Sequence, residues 1–168
     1  MTPLRISTLL GLATLALPGC GGTILTEFQG GYAIAPPGDE LGHSGSLAAH
    51  LGGSEARGLG IGLSGRARAM DHGFAFPEAG PHIFVLAEND KQVAFYARAN
   101  AFVGFGMLEG EIGPVFSAVL NPGILFYPAQ DPTFLSLSLT ADMTLAPVGP
   151  YARPWFGIQF GFGAGGTR

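Results

Sequence analysis

Strict alternation of apolar with small or polar residues is the feature that most limits what this chain can become. From 133 to 145, Leu135, Leu137, Leu139, Ala141, Met143 and Leu145 oppose Ser136, Ser138, Thr140, Asp142 and Thr144. From 156 to 162, Phe156, Ile158, Phe160 and Phe162 oppose Gly157, Gln159 and Gly161. The same pattern runs through 93–105 and 58–68, where Leu59, Ile61 and Leu63 alternate with glycine. Side chains along a strand point to opposite faces in turn, so this pattern predicts sheet with two chemically different faces. Helical spacing is not sustained anywhere after residue 22. The 28 Gly and 13 Pro interrupt the chain too often for long helices.

Weaker alternation over 24–35, 42–52, 81–88 and 111–121 brings the expected count to eight strands, or nine or ten if Ile124–Tyr127 starts another. Turn-rich segments separate them, among them Pro36–Glu40, Met70–Gly80 and Pro147–Pro150, and Asn121-Pro122-Gly123 reads as a turn. Evenly spaced strands without helices predict an all-β fold, a single antiparallel up-and-down barrel of about eight strands. A chain of 168 residues with one Cys leaves room for one such domain and for no disulfide framework.

The chemistry of the two faces bears on the surrounding solvent. Charged residues make up 12% of the chain, whereas a solvated surface carries roughly 25–35%. The second face of the strands is mostly Gly, Ser, Ala and Thr, which suits the narrow lumen of a small barrel. The strand charges keep to that face: Arg66, Arg68 and Arg98 with Glu27, Glu111 and Asp142. Three basic and three acidic groups there form an expected neutral lumen network, since buried charge requires pairing. An apolar face turned to lipid and a small or polar face turned inward describe a membrane barrel. Phe102 and Phe105, Phe126 and Tyr127, and Tyr151 and Trp155 lie near strand ends, where interfacial girdles are expected.

Two short segments resemble known families. Residues 1–20 have a basic start at Arg5, a twelve-residue apolar stretch from Ile6 to Leu17, and then Pro18-Gly19-Cys20. As a helix that stretch rises about 18 Å, short of the ~30 Å hydrocarbon core, so it reads as an export signal. Leu17-Pro18-Gly19-Cys20 resembles the lipobox of bacterial lipoprotein signal peptides. The resemblance implies a signal peptide over 1–19, a mature barrel domain over 20–168, and lipid carried by Cys20. Gly21 stands where Asp would imply inner-membrane retention, so the outer membrane is the implied address. Removal of 19 residues leaves seven basic and twelve acidic side chains, a net charge of 7 − 12 = −5. At the other end, Trp155-Phe-Gly-Ile-Gln-Phe-Gly-Phe162 resembles the closing strand of bacterial outer-membrane barrels. Gly157, Phe160 and Phe162 match that pattern, while Trp155 replaces its polar position and six residues follow its usual end.

Site chemistry is sparse. Gly60-Ile-Gly62-Leu-Ser-Gly65 and Gly161-Phe-Gly163-Ala-Gly-Gly166 match GxGxxG, but neither sits between a strand and a helix, so no dinucleotide or other cofactor is expected. His43 and His50 are seven apart and face opposite ways on a strand; with His72 and His82 they show no metal-ligand spacing. Eight Lys and Arg against twelve acids exclude the basic face of a nucleic-acid binder. The expectation is therefore a lipid-anchored outer-membrane barrel without enzymatic activity, whose partner is the membrane and whose role is structural or adhesive. Its contact surface would include the Met70–Gly80 segment with Asp71, His72, Phe74 and Phe76. A second reading is a soluble, lipid-tethered barrel holding an apolar ligand in a lumen lined by Leu135, Leu137, Phe95, Phe156 and Phe160. A third is a lipid-modifying enzyme; His43 differs in parity from Ser44 and Ser46 and pairs poorly with either, so its constellation would be a His, a Ser and a Glu from different strands.

Overall fold

The computed structural model describes residues 23–36, 42–54, 58–71, 73–88, 92–108, 110–128, 132–146 and 151–167; the expected signal segment over 1–19 and Cys20 lie outside them. Eight strands follow one another: β1 (Thr23–Ala35), β2 (Gly42–Ser54), β3 (Leu59–Met70), β4 (Gly73–Glu88), β5 (Val93–Leu108), β6 (Glu111–Phe126), β7 (Thr133–Ala146) and β8 (Tyr151–Thr167). Each pairs antiparallel with its neighbours in sequence, and β8 pairs back onto β1 to close a barrel. The expected all-β, eight-stranded, up-and-down topology is what forms.

The strands are longer than the sequence pattern suggested. Asn121-Pro122-Gly123 is not a turn but the interior of β6. The β6–β7 ladder lapses between Leu120↔Ala141 and Gly123↔Ser138, where Pro122 has no N–H to give. In that gap the Asn121 side chain donates through Nδ2 to the Leu139 carbonyl at 3.4 Å. Likewise, most of the Met70–Gly80 segment is strand, because β4 begins at Gly73. Its pairing shifts between Ala75 and Glu78, and a bulge there accommodates Pro77 while resetting which side chains face inward. As a result, Ala75 and Glu78 are buried while Phe74 and Phe76 stand outside. No more than six residues separate consecutive strands, and two separate β5 from β6. Gly110 in that short connection has φ of 83°, a left-handed value that glycine adopts freely.

Register sets the shape. Following paired residues once around, Ile24↔Gly53↔Ile61↔Ile83↔Ala99↔Leu120↔Ala141↔Phe156 returns to β1 at Ile34, a stagger of 34 − 24 = 10 residues. With ~3.3 Å per residue and ~4.8 Å between strands, this stagger tilts eight strands by about 40°. Each residue then rises about 2.5 Å along the barrel axis.

Two apolar clusters fill the ends of the lumen. Leu25, Phe84, Leu86, Ala94, Tyr96, Leu125 and Phe134 pack at the end holding both β1's start and β8's finish. Ala35, Met70, Ala75, Val115, Ala146 and Trp155 pack at the other. Glycine makes room for this filling: a Cβ on Gly60 would collide with the Phe84 ring. Between the clusters the interior is mostly polar, with Phe102 and Val119 buried among the polar side chains.

Candidate functional site

The outside of the barrel is an apolar belt. Leu137 and Phe160 face outward, 41% and 59% exposed, and Leu135, Phe95 and Phe156 face outward with them. The second reading placed these five side chains in a ligand-holding lumen. The structure corrects that, because the parity that buries Ser136, Ser138 and Gln159 turns the apolar set outward. On β7 the outward set runs from Leu135 to Leu145, ten residues or about 25 Å along the axis, close to the ~25 Å apolar band of a membrane barrel. Phe105 and Phe126 belong to the outside, whereas Phe102 and Trp155 are buried in the lumen and contribute nothing to a girdle.

The lumen holds two polar networks. Nearer the end with the Trp155 cluster, Arg66 makes a bidentate contact with Glu78, Nε to Oε2 at 2.9 Å and Nη2 to Oε1 at 2.8 Å. Its Nη1 donates to Asp142 Oδ2 at 2.6 Å. Arg68 Nη1 donates to the same Asp142 oxygen at 2.9 Å and to Thr144 Oγ1 at 2.6 Å. Ser117 accepts from Arg68 and donates to Glu78 Oε1 at 3.0 Å. The Arg66 guanidinium also lies 4.5 Å from the centroid of the Phe102 ring. Two cations and two carboxylates cancel here, and their side chains are at most 6% exposed. Such fork geometry offsets much of the cost of burying charge.

The second network begins at the Arg98–Glu27 ion pair. Gln29 Nε2 donates to Glu27 Oε1 at 2.7 Å and to the Tyr96 hydroxyl at 3.0 Å. Gln29 Oε1 lies 3.2 Å from His50 Nε2. Ser64 Oγ is a hub, 2.7 Å from Nδ1 of His50, 2.7 Å from Nδ1 of His82 and 3.0 Å from Asn100 Oδ1. Asn100 Nδ2 donates to Asn121 Oδ1 at 3.1 Å, and Asn121 Nδ2 to Gln159 Oε1 at 3.0 Å.

Of the six charges expected in the lumen, the structure places Glu27, Arg66, Arg68, Arg98 and Asp142 inside and joins them in pairs. Glu111 is a correction. It opens β6 beyond the level where β7 pairs, and it is exposed. Glu78 takes the acidic place, hidden from sequence reasoning because the β4 bulge made its segment read as a turn. His50, His82 and Ser64 also went unrecognised as partners, although each sits on the even-numbered, inward face of its strand.

His43 is exposed on the outside and its ring bonds to the Tyr32 hydroxyl, while Ser44 points into the lumen, so that pair does not converge. Ser64 and its histidines have the spacing of a nucleophile and base, yet apolar clusters cover them at both ends of the lumen. Among the described residues no three His, Cys, Asp or Glu side chains come together as metal ligands would.

No protein-family model matches the chain, and no curated protein matches it by sequence. Its fold is similar to solved barrels, among them the following two. Neisserial surface protein A superposes with a TM-score of 0.61 at 11% identity, over 88% of this chain and 99% of that one. The N-terminal β-barrel domain of Pseudomonas aeruginosa OprF superposes with a TM-score of 0.56 at 14% identity, over 89% of this chain and 100% of that one. At such identities the likeness is one of fold.

Proposed function

We propose that this protein is a lipid-anchored barrel that spans the bacterial outer membrane and serves a structural role in the envelope. The observation that carries the reading is the orientation of Leu137 and Phe160, outward on a belt about 25 Å high around a lumen of paired charges. Water is a poor solvent for that exterior, and lipid is a good one. The two barrels of similar fold, one of them called a surface protein of Neisseria, support an envelope address. A lumen filled by side chains and capped by apolar clusters at both ends suits a solid pin rather than a pore. Connections of six residues or fewer favour a structural over an adhesive role, since the described barrel carries no large loop platform.

The lipid anchor at Cys20 belongs to the same proposal. Only Gly21 and Gly22 separate Cys20 from Thr23, so an anchor there would be joined to the first residue of β1 by a three-residue reach of at most about 11 Å between Cα atoms. Carbonate extraction of a Cys20→Ser variant, with heat-modifiable migration as the readout of folding, separates the two claims. The folded variant should stay in the membrane pellet; its release into the supernatant would show a barrel that is tethered and does not span. Labelled palmitate should enter the wild-type protein and not the variant. Equal labelling of both would remove Cys20 as the anchor.

A further inference from the structure

Most of the described glycines are demanded by packing, but two on the outer face are not. A Cβ on Gly62 would strike the Leu51 carbonyl, and one on Gly80 the Ala101 carbonyl. A Cβ on Gly45 would meet nothing within 4 Å, and one on Gly65 only the Glu78 carbonyl oxygen at 4.0 Å. The protein's own packing does not require these two positions to be bare.

Both lie along a groove. Pairing sets Phe28, Ala49, Gly65 and Ala79 in one row across β1 to β4, and Tyr32, Gly45, Ala69 and Phe74 in another nearer the Trp155 end. Between the rows Leu47 leans over Gly30 on β1, while the β4 bulge raises Phe76 on the other side. What stays open is an apolar channel of about 400 Å³ over Gly65 and Ala67. The channel leads along β3 to polar groups. Exposed Asp71 accepts the His43 backbone N–H at Oδ2, and its own N–H donates to the His43 carbonyl at 3.2 Å. The His43 ring stacks on Tyr32 and meets its hydroxyl through Nδ1. Gly65 to Asp71 is six residues, or about 15 Å along the axis, the depth of one leaflet of a ~30 Å hydrocarbon core.

We propose that this groove binds one membrane phospholipid with a primary ammonium headgroup. The site rests on the spanning reading above, which puts lipid against the belt. An acyl chain lies over Gly65 and Ala67 between Leu47 and Phe76, the ammonium donates to Asp71, and the phosphate accepts from His43. The neutral imidazole that accepts the Tyr32 O–H at Nδ1 carries its proton on Nε2, where it serves a phosphate oxygen. Charge complementarity selects the head. A carboxylate has about four acceptor sites and the His43 N–H takes one, so an ammonium finds charge-assisted hydrogen bonds there. A quaternary ammonium has no N–H to give, and a purely anionic head is repelled. A second groove across the barrel gives the contrast: its outward lining, with Ala99, Leu120, Ala141, Met143 and Phe156, is apolar throughout.

Native mass spectrometry of the full chain folded in detergent micelles tests the site, with phosphatidylethanolamine, phosphatidylcholine and phosphatidylglycerol of one acyl composition as probes. One phosphatidylethanolamine should be retained at about a tenth of the concentration that the other two need. Asp71→Asn should retain all three alike. Gly65→Leu, which fills the channel, should lose the phosphatidylethanolamine at that concentration, while Ala141→Leu in the opposite groove should behave as wild type. Heat-modifiable migration checks that each variant is folded. Equal retention of the three lipids by wild type means surrounding bilayer lipid only and overturns the site; so does an undiminished preference in folded Asp71→Asn or Gly65→Leu. The wild-type comparison decides even if a variant does not fold. Extraction of Cys20→Ser tests the spanning reading separately: equal retention by a barrel that stays in the membrane pellet removes the site and leaves that reading standing.

Discussion

The two faces of β7 differ by one step along the chain and obey opposite rules. Outward, Leu135, Leu137 and Leu139 stand exposed; inward, Ser136, Ser138, Thr140, Asp142 and Thr144 are buried. In a water-soluble barrel the apolar set would form the core. Here the inward set of β7 is polar, and two of its members are tied to charges from across the lumen: Asp142 accepts from Arg66 and Arg68, and Thr144 accepts from Arg68. The contrast teaches that burying charge in this molecule follows pairing, as for Arg66 and Arg68 with Glu78 and Asp142, while apolar side chains fill the two ends of the lumen. A charge is tolerated where a partner is built in, and nowhere on the belt.

The sharpest way to break that contrast is to remove a partner inside. Glu78→Ala leaves the Arg66 fork without its bidentate acceptor, and the expected loss is about 3–5 kcal/mol, read by urea unfolding in detergent. Replacing Arg66 and Glu78 together by Leu should cost less than Glu78→Ala alone, because no buried charge is stranded. Placing a charge outside comes next. Leu137→Arg or Phe160→Arg should cost about 2–4 kcal/mol in a bilayer and lower the fraction of protein that assembles, measured by heat-modifiable migration. Asn121→Ala should cost about 1–3 kcal/mol by stripping the donor that serves the Leu139 carbonyl in the Pro122 gap. Smallest of all, Glu111→Ala at the exposed rim should stay within about 0.5 kcal/mol of wild type, in contrast to Glu78→Ala. A large effect at Glu111 would mean that the rim belongs to the lumen network after all.

Much of the fold was legible because a two-residue period is a local property. Leu135 to Leu145 and Phe156 to Phe162 identify strands and pair their faces without any knowledge of neighbours. The misreadings fall where a distant strand overrides a local signal. Asn121-Pro122-Gly123 has turn chemistry, but β5 on one side and β7 on the other hold it straight. Pro77 and Gly80 suggest a loop, yet pairing with β3 and β5 absorbs them into a bulged strand, and Glu78 enters the lumen with them. Contacts such as Ser64 with both His50 and His82 join residues 14 and 18 apart on three strands. No spacing rule in one strand can reveal them.

By itself the sequence determined that the chain makes strands with an apolar and a small or polar face, in a number suited to a closed meander, since the alternation of side chains is dictated by the backbone. Which face looks outward, and which acid completes the charge cluster, only the tertiary structure decided. Both depend on closure. A stagger of ten residues over eight strands closes a lumen in which small residues such as Gly60 make room for larger neighbours and the charges of different strands meet in pairs.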